Sequence, residues 1–63
     1  MFKEAGNIYR ELDMFEDAAQ LYIKGKIWRE AGQCFVKADK FSDAVFAYYH
    51  GGLYTVVDDL MRR

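Results

Sequence analysis

Apolar residues recur along this chain at helical spacing, in short stretches separated by polar residues and glycines. The spacing i, i+3, i+4, i+7 marks one stripe of an α-helix, and it occurs four times. The four stripes are Phe2, Ala5, Gly6 and Tyr9; Phe15, Ala18, Ala19 and Tyr22; Trp28, Ala31, Gly32 and Phe35; and Phe41, Ala44, Val45 and Tyr48. No stretch shows the period of two that a β-strand requires. The pattern therefore predicts an all-α chain.

The stripes repeat as pairs. Phe2 and Trp28 begin matching stripes 26 residues apart, since 28 − 2 = 26. The same offset relates Glu4 to Glu30, Gly6 to Gly32, Asp13 to Asp39, Tyr22 to Tyr48 and Gly25 to Gly51. Repeats of this length indicate stacked supersecondary units. We predict one repeat domain over residues 1–63, with repeats at about 2–27 and 28–53 and a partial third at 54–63.

The partial third repeat begins with the same helical stripe. Tyr54, Val57 and Met61 continue it, which gives about five short helices arranged as tandem antiparallel hairpins. The second helix of this unit would have to follow Arg63. We therefore expect the chain to be a piece of a longer α-solenoid.

Asp and Gly residues indicate where the helices begin and end. Asp13 and Asp39 precede the second helix of each pair, where a carboxylate can cap free amides. Gly25 and Gly51 follow those helices, where a left-handed residue commonly ends a helix.

Glycine also occurs inside the first helix of each pair, at Gly6 and Gly32. A glycine in a helix interior costs about 1 kcal/mol relative to alanine. We expect close approach of the paired helix to compensate, with Ala18 and Ala44 as the facing surface. The aromatic residues should fill the core, except Phe46 and Tyr49.

The second copy resembles the tetratricopeptide repeat signature at Trp28, Ala31, Gly32, Phe35, Ala44 and Tyr48. The first copy matches it at Phe2, Ala5, Gly6, Tyr9, Ala18 and Tyr22. The repeat departs from the family because it has 26 residues and no proline, whereas the family unit has about 34 residues. It is most similar to the short tetratricopeptide-like repeats of large coat, intraflagellar-transport and helicase-like proteins. The resemblance implies a protein–protein interaction scaffold.

Composition excludes several other classes. Nine basic and ten acidic residues give a net charge of −1, so the whole chain is not a polyelectrolyte. The single cysteine, Cys34, cannot form an internal disulfide, which predicts an intracellular, cytoplasmic setting. The longest apolar run, 44–49, is too short to span a bilayer, so no membrane partner is expected.

Catalytic chemistry has little support in the sequence. His50 is the single histidine and has no nucleophile paired with it, so we interpret it as a helix-end or surface residue. Cys34 lies at a mid-helix position and is interpreted as a packing residue. Asp58 and Asp59 are adjacent, so on a helix they point about 100° apart. We expect no enzyme activity, catalytic residue, cofactor or metal.

The resemblance implies that the first helix of each unit lines a concave groove. Its matching positions include Lys3, Asn7, Arg10, Lys26, Arg29, Gln33, Lys37, Arg62 and Arg63. Seven of the nine basic residues of the chain belong to this set. Lys26 and Arg29 stand near a helix start, where positive charge opposes the helix dipole. We predict a basic face that binds an acidic peptide or protein segment.

Three alternatives stay open. The charged residues can form ordinary solvated faces without a partner. The basic face can instead contact nucleic acid, as an appendage of a helicase-like protein. The chain can also be a structural spacer that self-associates through Phe46, Tyr49, Val57 and Met61.

Overall fold

The computed structural model describes residues 1–62 and contains five α-helices and no strand within that range. The helices are α1 (Phe2–Glu11), α2 (Phe15–Lys24), α3 (Trp28–Lys37), α4 (Phe41–His50) and α5 (Tyr54–Met61). Each helix packs on the next one along the chain. The predicted all-α class of tandem helical hairpins is therefore correct. No helix in this range has both the length and the apolar character needed to cross a membrane.

The helices follow a shorter period than the sequence analysis recognised. Each begins 13 residues after the one before it, as in 15 − 2 = 13, and each begins with an aromatic residue. The 26-residue repeat is thus a pair of similar single-helix steps. The half-period is hard to see because Ala19 and Val45 occupy the positions that correspond to Gly6 and Gly32.

Left-handed residues also recur every 13 residues, and they set the turns. Asp13, Lys26, Asp39 and Gly52 have φ of 60°, 58°, 60° and 72°. After each of them an amide bonds back to a carbonyl five residues earlier, as Met14 N does to Tyr9 O at 2.9 Å. This is the Schellman arrangement that ends a helix and reverses the chain. Three-residue turns of this kind make neighbouring helices antiparallel.

The predicted capping role of Asp13 and Asp39 is wrong. The residues that precede α2 and α4 are Met14 and Lys40, and neither makes a side-chain capping bond. Asp13 and Asp39 instead hold the left-handed position of the preceding turn. Aspartate tolerates that conformation better than most residues, which explains its place there.

The predicted left-handed role of Gly25 and Gly51 is also wrong, since their φ values are −87° and −85°. Both glycines are needed for space. A Cβ on Gly25 would lie 2.8 Å from the Cβ of Phe2, and one on Gly51 would overlap the Cβ of Trp28. The end of each second helix therefore rests directly on the start of its partner.

The glycines inside α1 and α3 have the close contact that we predicted, but with a different partner. A Cβ on Gly6 would lie 2.7 Å from the Tyr22 ring, and one on Gly32 would lie 2.6 Å from the Tyr48 ring. The nearest surface is therefore a tyrosine ring, and not Ala18 or Ala44. Without a side chain on the glycine, the ring lies flat over the helix backbone.

The buried core is concentrated in α2, α3 and α4. It consists of Ala18, Ala19, Tyr22, Ala31, Cys34, Phe35, Ala44, Ala47 and Tyr48. Cys34 is buried, as predicted for a packing residue. The expectation that only Phe46 and Tyr49 leave the aromatic core is wrong, because Phe2, Tyr9, Phe41 and Tyr54 are exposed as well. Three of these four begin helices, where a ring covers the helix end from one side.

Candidate functional site

The most prominent charged row lies on α3. Arg29, Gln33 and Lys37 are spaced i, i+4, i+8 and all three are exposed. This spacing places them along one face of the helix, over about 12 Å at 1.5 Å per residue. The Lys37 Nζ lies 5.4 Å from the centre of the Phe15 ring, which holds the lysine stem against α2. We call Arg29, Gln33 and Lys37 the α3 row.

The predicted groove residues of α1 are engaged within the chain. The Tyr22 hydroxyl donates a hydrogen bond to Asn7 Oδ1, and Arg10 donates to the same oxygen over 3.4 Å. The Arg10 guanidinium also lies 5.8 Å from the centre of the Tyr22 ring. Asn7 and Arg10 therefore cover the ring, and part of their hydrogen-bonding capacity is already used.

The remaining predicted groove residues have separate surroundings. Lys3 is exposed on α1. Arg62 pairs with Asp58 at 3.1 Å, so this part of the face is locally neutral. Arg63 lies outside the described residues.

Lys26 does not lie in a helix. It occupies the turn between the end of α2 and the start of α3. Its charge is as near to the favourable end of one helix dipole as to the unfavourable end of the other. The argument that Lys26 is placed against a dipole is therefore wrong. Arg29, in the first turn of α3, still stands at the unfavourable end.

A pocket of about 300 Å³ opens beside the α3 row, between α3 and α5. We call it the α3–α5 pocket, and its lining is Gln33, Val36, Lys37, Tyr48, Val56 and Leu60. Burial raises the pKa of Tyr48, while the positive charge of Arg29 lowers it. The phenol is therefore neutral at neutral pH and can donate a hydrogen bond.

A second pocket of about 230 Å³, the α2–α4 pocket, opens between the even-numbered helices. Its lining is Gln20, Ile23, Phe35, Asp43 and Phe46. Four of these precede an α3–α5 pocket residue by 13 positions, as 33 − 20 = 13 for the two glutamines. The two pockets are thus one cleft at successive steps of the stack. They differ in charge, because Lys37 lines one and Asp43 lines the other.

Sequence reasoning missed Tyr48, Val56 and Leu60 as pocket residues, because they read as core or stripe positions. The 13-residue period would have found them, since it aligns Tyr48 with Phe35 and Tyr22. An aromatic at that step lies beneath each cleft, and the flanking helices supply the walls.

His50 is the last residue of α4, as the sequence predicted. Its ring centre lies 4.2 Å from that of Phe46 and 5.7 Å from that of Trp28. The imidazole thus packs within a surface aromatic group and contributes nothing to the α3–α5 pocket.

No family model, curated protein or solved structure matches this chain. The packed helices are compatible with an array of helical repeats, and what such an array does must be argued from its surfaces.

Proposed function

We propose that the chain is a short tetratricopeptide-like array that acts as an interaction scaffold and binds an acidic peptide or protein segment along α3. The α3 row carries this proposal. Its Arg29 and Lys37 are exposed, and neither forms an ion pair with another residue of the range 1–62. Two cations on one helix face, separated by a side-chain amide, suit a partner with carboxylates and a peptide backbone.

The geometry of the α3 row limits the partner. Arg29 and Lys37 are eight residues apart on the helix, or about 12 Å. An extended chain covers about 3.4 Å per residue. Carboxylates three to four residues apart in an extended segment would therefore reach both cations together, which suggests a test peptide of sequence Asp-Glu-Leu-Asp-Glu.

Reversing both charges of the α3 row, Arg29→Glu with Lys37→Glu, is expected to weaken binding of this acetylated peptide at least tenfold, on the order of two lost exposed ion pairs. Fluorescence anisotropy with a labelled peptide measures the effect. Raising the salt concentration should weaken wild-type binding in the same assay.

The matched control is Lys24→Glu with Lys40→Glu, which makes the same charge change on residues that flank the even-numbered helices. It should leave the affinity within about twofold, since separated surface charges are screened at physiological salt. An equal loss in both double variants, or binding that ignores salt, would contradict the proposal.

Nucleic-acid contact has less support than peptide binding. Exposed Phe46 and Tyr49 belong to α4, whereas Arg29 and Lys37 belong to α3. Single-strand binding usually combines stacking rings and cations in one groove.

Self-association is a second candidate function, and a comparison within the chain favours it. Ile8 and Tyr9 on α1 are 59% and 37% exposed, whereas their equivalents Cys34 and Phe35 on α3 are 1% and 3% exposed. The difference arises because α3 is covered by both α2 and α4, whereas among the described helices only α2 packs closely on α1. A second copy stacked on this face of α1 would bury the same positions.

We expect the average mass of the wild-type chain in sedimentation velocity to rise with concentration, and Ile8→Glu to abolish that rise. A buried carboxylate without a partner strongly opposes association. Gln20→Glu, on an exposed position of α2, is the control and should behave like wild type. A wild-type chain that stays monomeric at millimolar concentration would rule out this candidate.

A further inference from the structure

The cleft over a central aromatic ring occurs at three successive steps, but its surroundings differ. At the first step Asn7 and Arg10 cover the Tyr22 ring. At the third step the corresponding residues are Gln33 and Val36, since 33 − 7 = 26 and 36 − 10 = 26. Valine cannot reach across a ring as arginine does. The Tyr48 ring is therefore part of the open lining of a pocket of about 300 Å³.

The walls of the α3–α5 pocket are apolar and its rim is polar. Val36, Val56 and Leu60 are aliphatic, and Gln33 and Lys37 supply an amide and a cation. At about 300 Å³ the pocket lies at the lower limit of small-molecule sites. This size favours one side chain of a larger partner over a complete cofactor.

We propose that the α3–α5 pocket holds one leucine-like aliphatic side chain of an extended acidic segment, next to carboxylates held by the α3 row. The proposal rests on the function proposed above and adds the apolar anchor to it. Lys37 belongs to both the pocket and the α3 row. A residue seated in the pocket therefore has an acidic neighbour within reach of that ammonium group.

The α2–α4 pocket is unsuited to the same segment. Asp43 stands there at the step where Val56 stands in the α3–α5 pocket, since 56 − 43 = 13. Its carboxylate would repel an acidic segment and would be desolvated by an aliphatic side chain. The anchor should therefore discriminate between two pockets of similar size.

The test compares two acetylated and amidated peptides, Asp-Glu-Leu-Asp-Glu and Asp-Glu-Ala-Asp-Glu, titrated into the isotopically labelled chain and followed by amide NMR shifts. The leucine peptide is expected to bind about tenfold more tightly, the scale set by the apolar area that leucine buries beyond alanine. Equal affinities would overturn the pocket proposal.

Val56→Glu places in the pocket the residue type that the first step carries at Glu30. It should remove the preference for leucine over alanine. Thr55→Glu makes the same charge change at the preceding exposed position, outside the pocket lining, and should keep the preference. Circular dichroism verifies that both variants stay helical. If both keep the preference, the pocket does not hold the anchor.

The two proposals fail in different ways. If both peptides bind equally, and both lose affinity on reversal of Arg29 and Lys37, the acidic-segment function stands and the anchor is wrong. If neither peptide binds, or binding survives that reversal, the proposed function fails and the anchor fails with it.

Discussion

Gly32→Leu is expected to remove the cooperative unfolding transition of the chain. A Cβ at this position would lie 2.6 Å from the Tyr48 ring, and that ring is only 5% exposed and has little room to move. Overpacking of this kind costs about 1–3 kcal/mol or more, and displacing Tyr48 from the core adds to it. A chain of 63 residues buries a small core. Urea unfolding followed by circular dichroism measures the loss.

Gln20→Leu is the control for this substitution, because it introduces the same side chain at an exposed position on α2. It should change the free energy of unfolding by less than about 0.5 kcal/mol, as is usual for surface positions. A Gly32→Leu chain that unfolds at the wild-type urea concentration would show that α3 and α4 do not meet through this ring.

Gly51→Ala is expected to be the second most damaging substitution, at about 1–3 kcal/mol, because the new Cβ would overlap the Cβ of Trp28. That atom is fixed to the backbone and cannot rotate away, so α4 must move from the start of α3. The effect is measured as a shift of the urea midpoint at constant slope.

The adjacent Gly52 provides a control with the opposite properties. It has φ of 72° and no atom near its hypothetical Cβ, so Gly52→Ala costs about 1 kcal/mol of backbone strain. Gly52→Asp should cost less, since Asp13 and Asp39 already hold this turn position. If Gly52→Ala proves more harmful than Gly51→Ala, the close approach of α4 to Trp28 is wrong.

The helices were predictable because stripe spacing reports directly which side of a helix is buried. The turns were misjudged by one residue. Capping preferences allow Asp13 either to accept amide bonds at a helix start or to adopt a left-handed conformation. The choice depends on how the carbonyl of Tyr9 is satisfied, which is a matter of three-dimensional geometry.

The charged row was predictable for a similar reason, since spacing alone aligns Arg29, Gln33 and Lys37. Spacing could not show that Arg10 lies over Tyr22 or that Arg62 pairs with Asp58. Those contacts depend on side-chain conformations and neighbouring helices. The α3–α5 pocket was also out of reach, because it arises where Val36 replaces the longer arginine of the preceding repeat.

The central claim is that α3 and α5 receive an acidic segment anchored by one aliphatic side chain. Mapping the amide NMR shifts caused by the Asp-Glu-Leu-Asp-Glu peptide tests it most directly. We predict that the largest shifts fall at Gln33, Lys37 and Leu60, with Gln20 and Asp43 unchanged. Largest shifts at Gln20 and Asp43, or small shifts spread over all five helices, would contradict it.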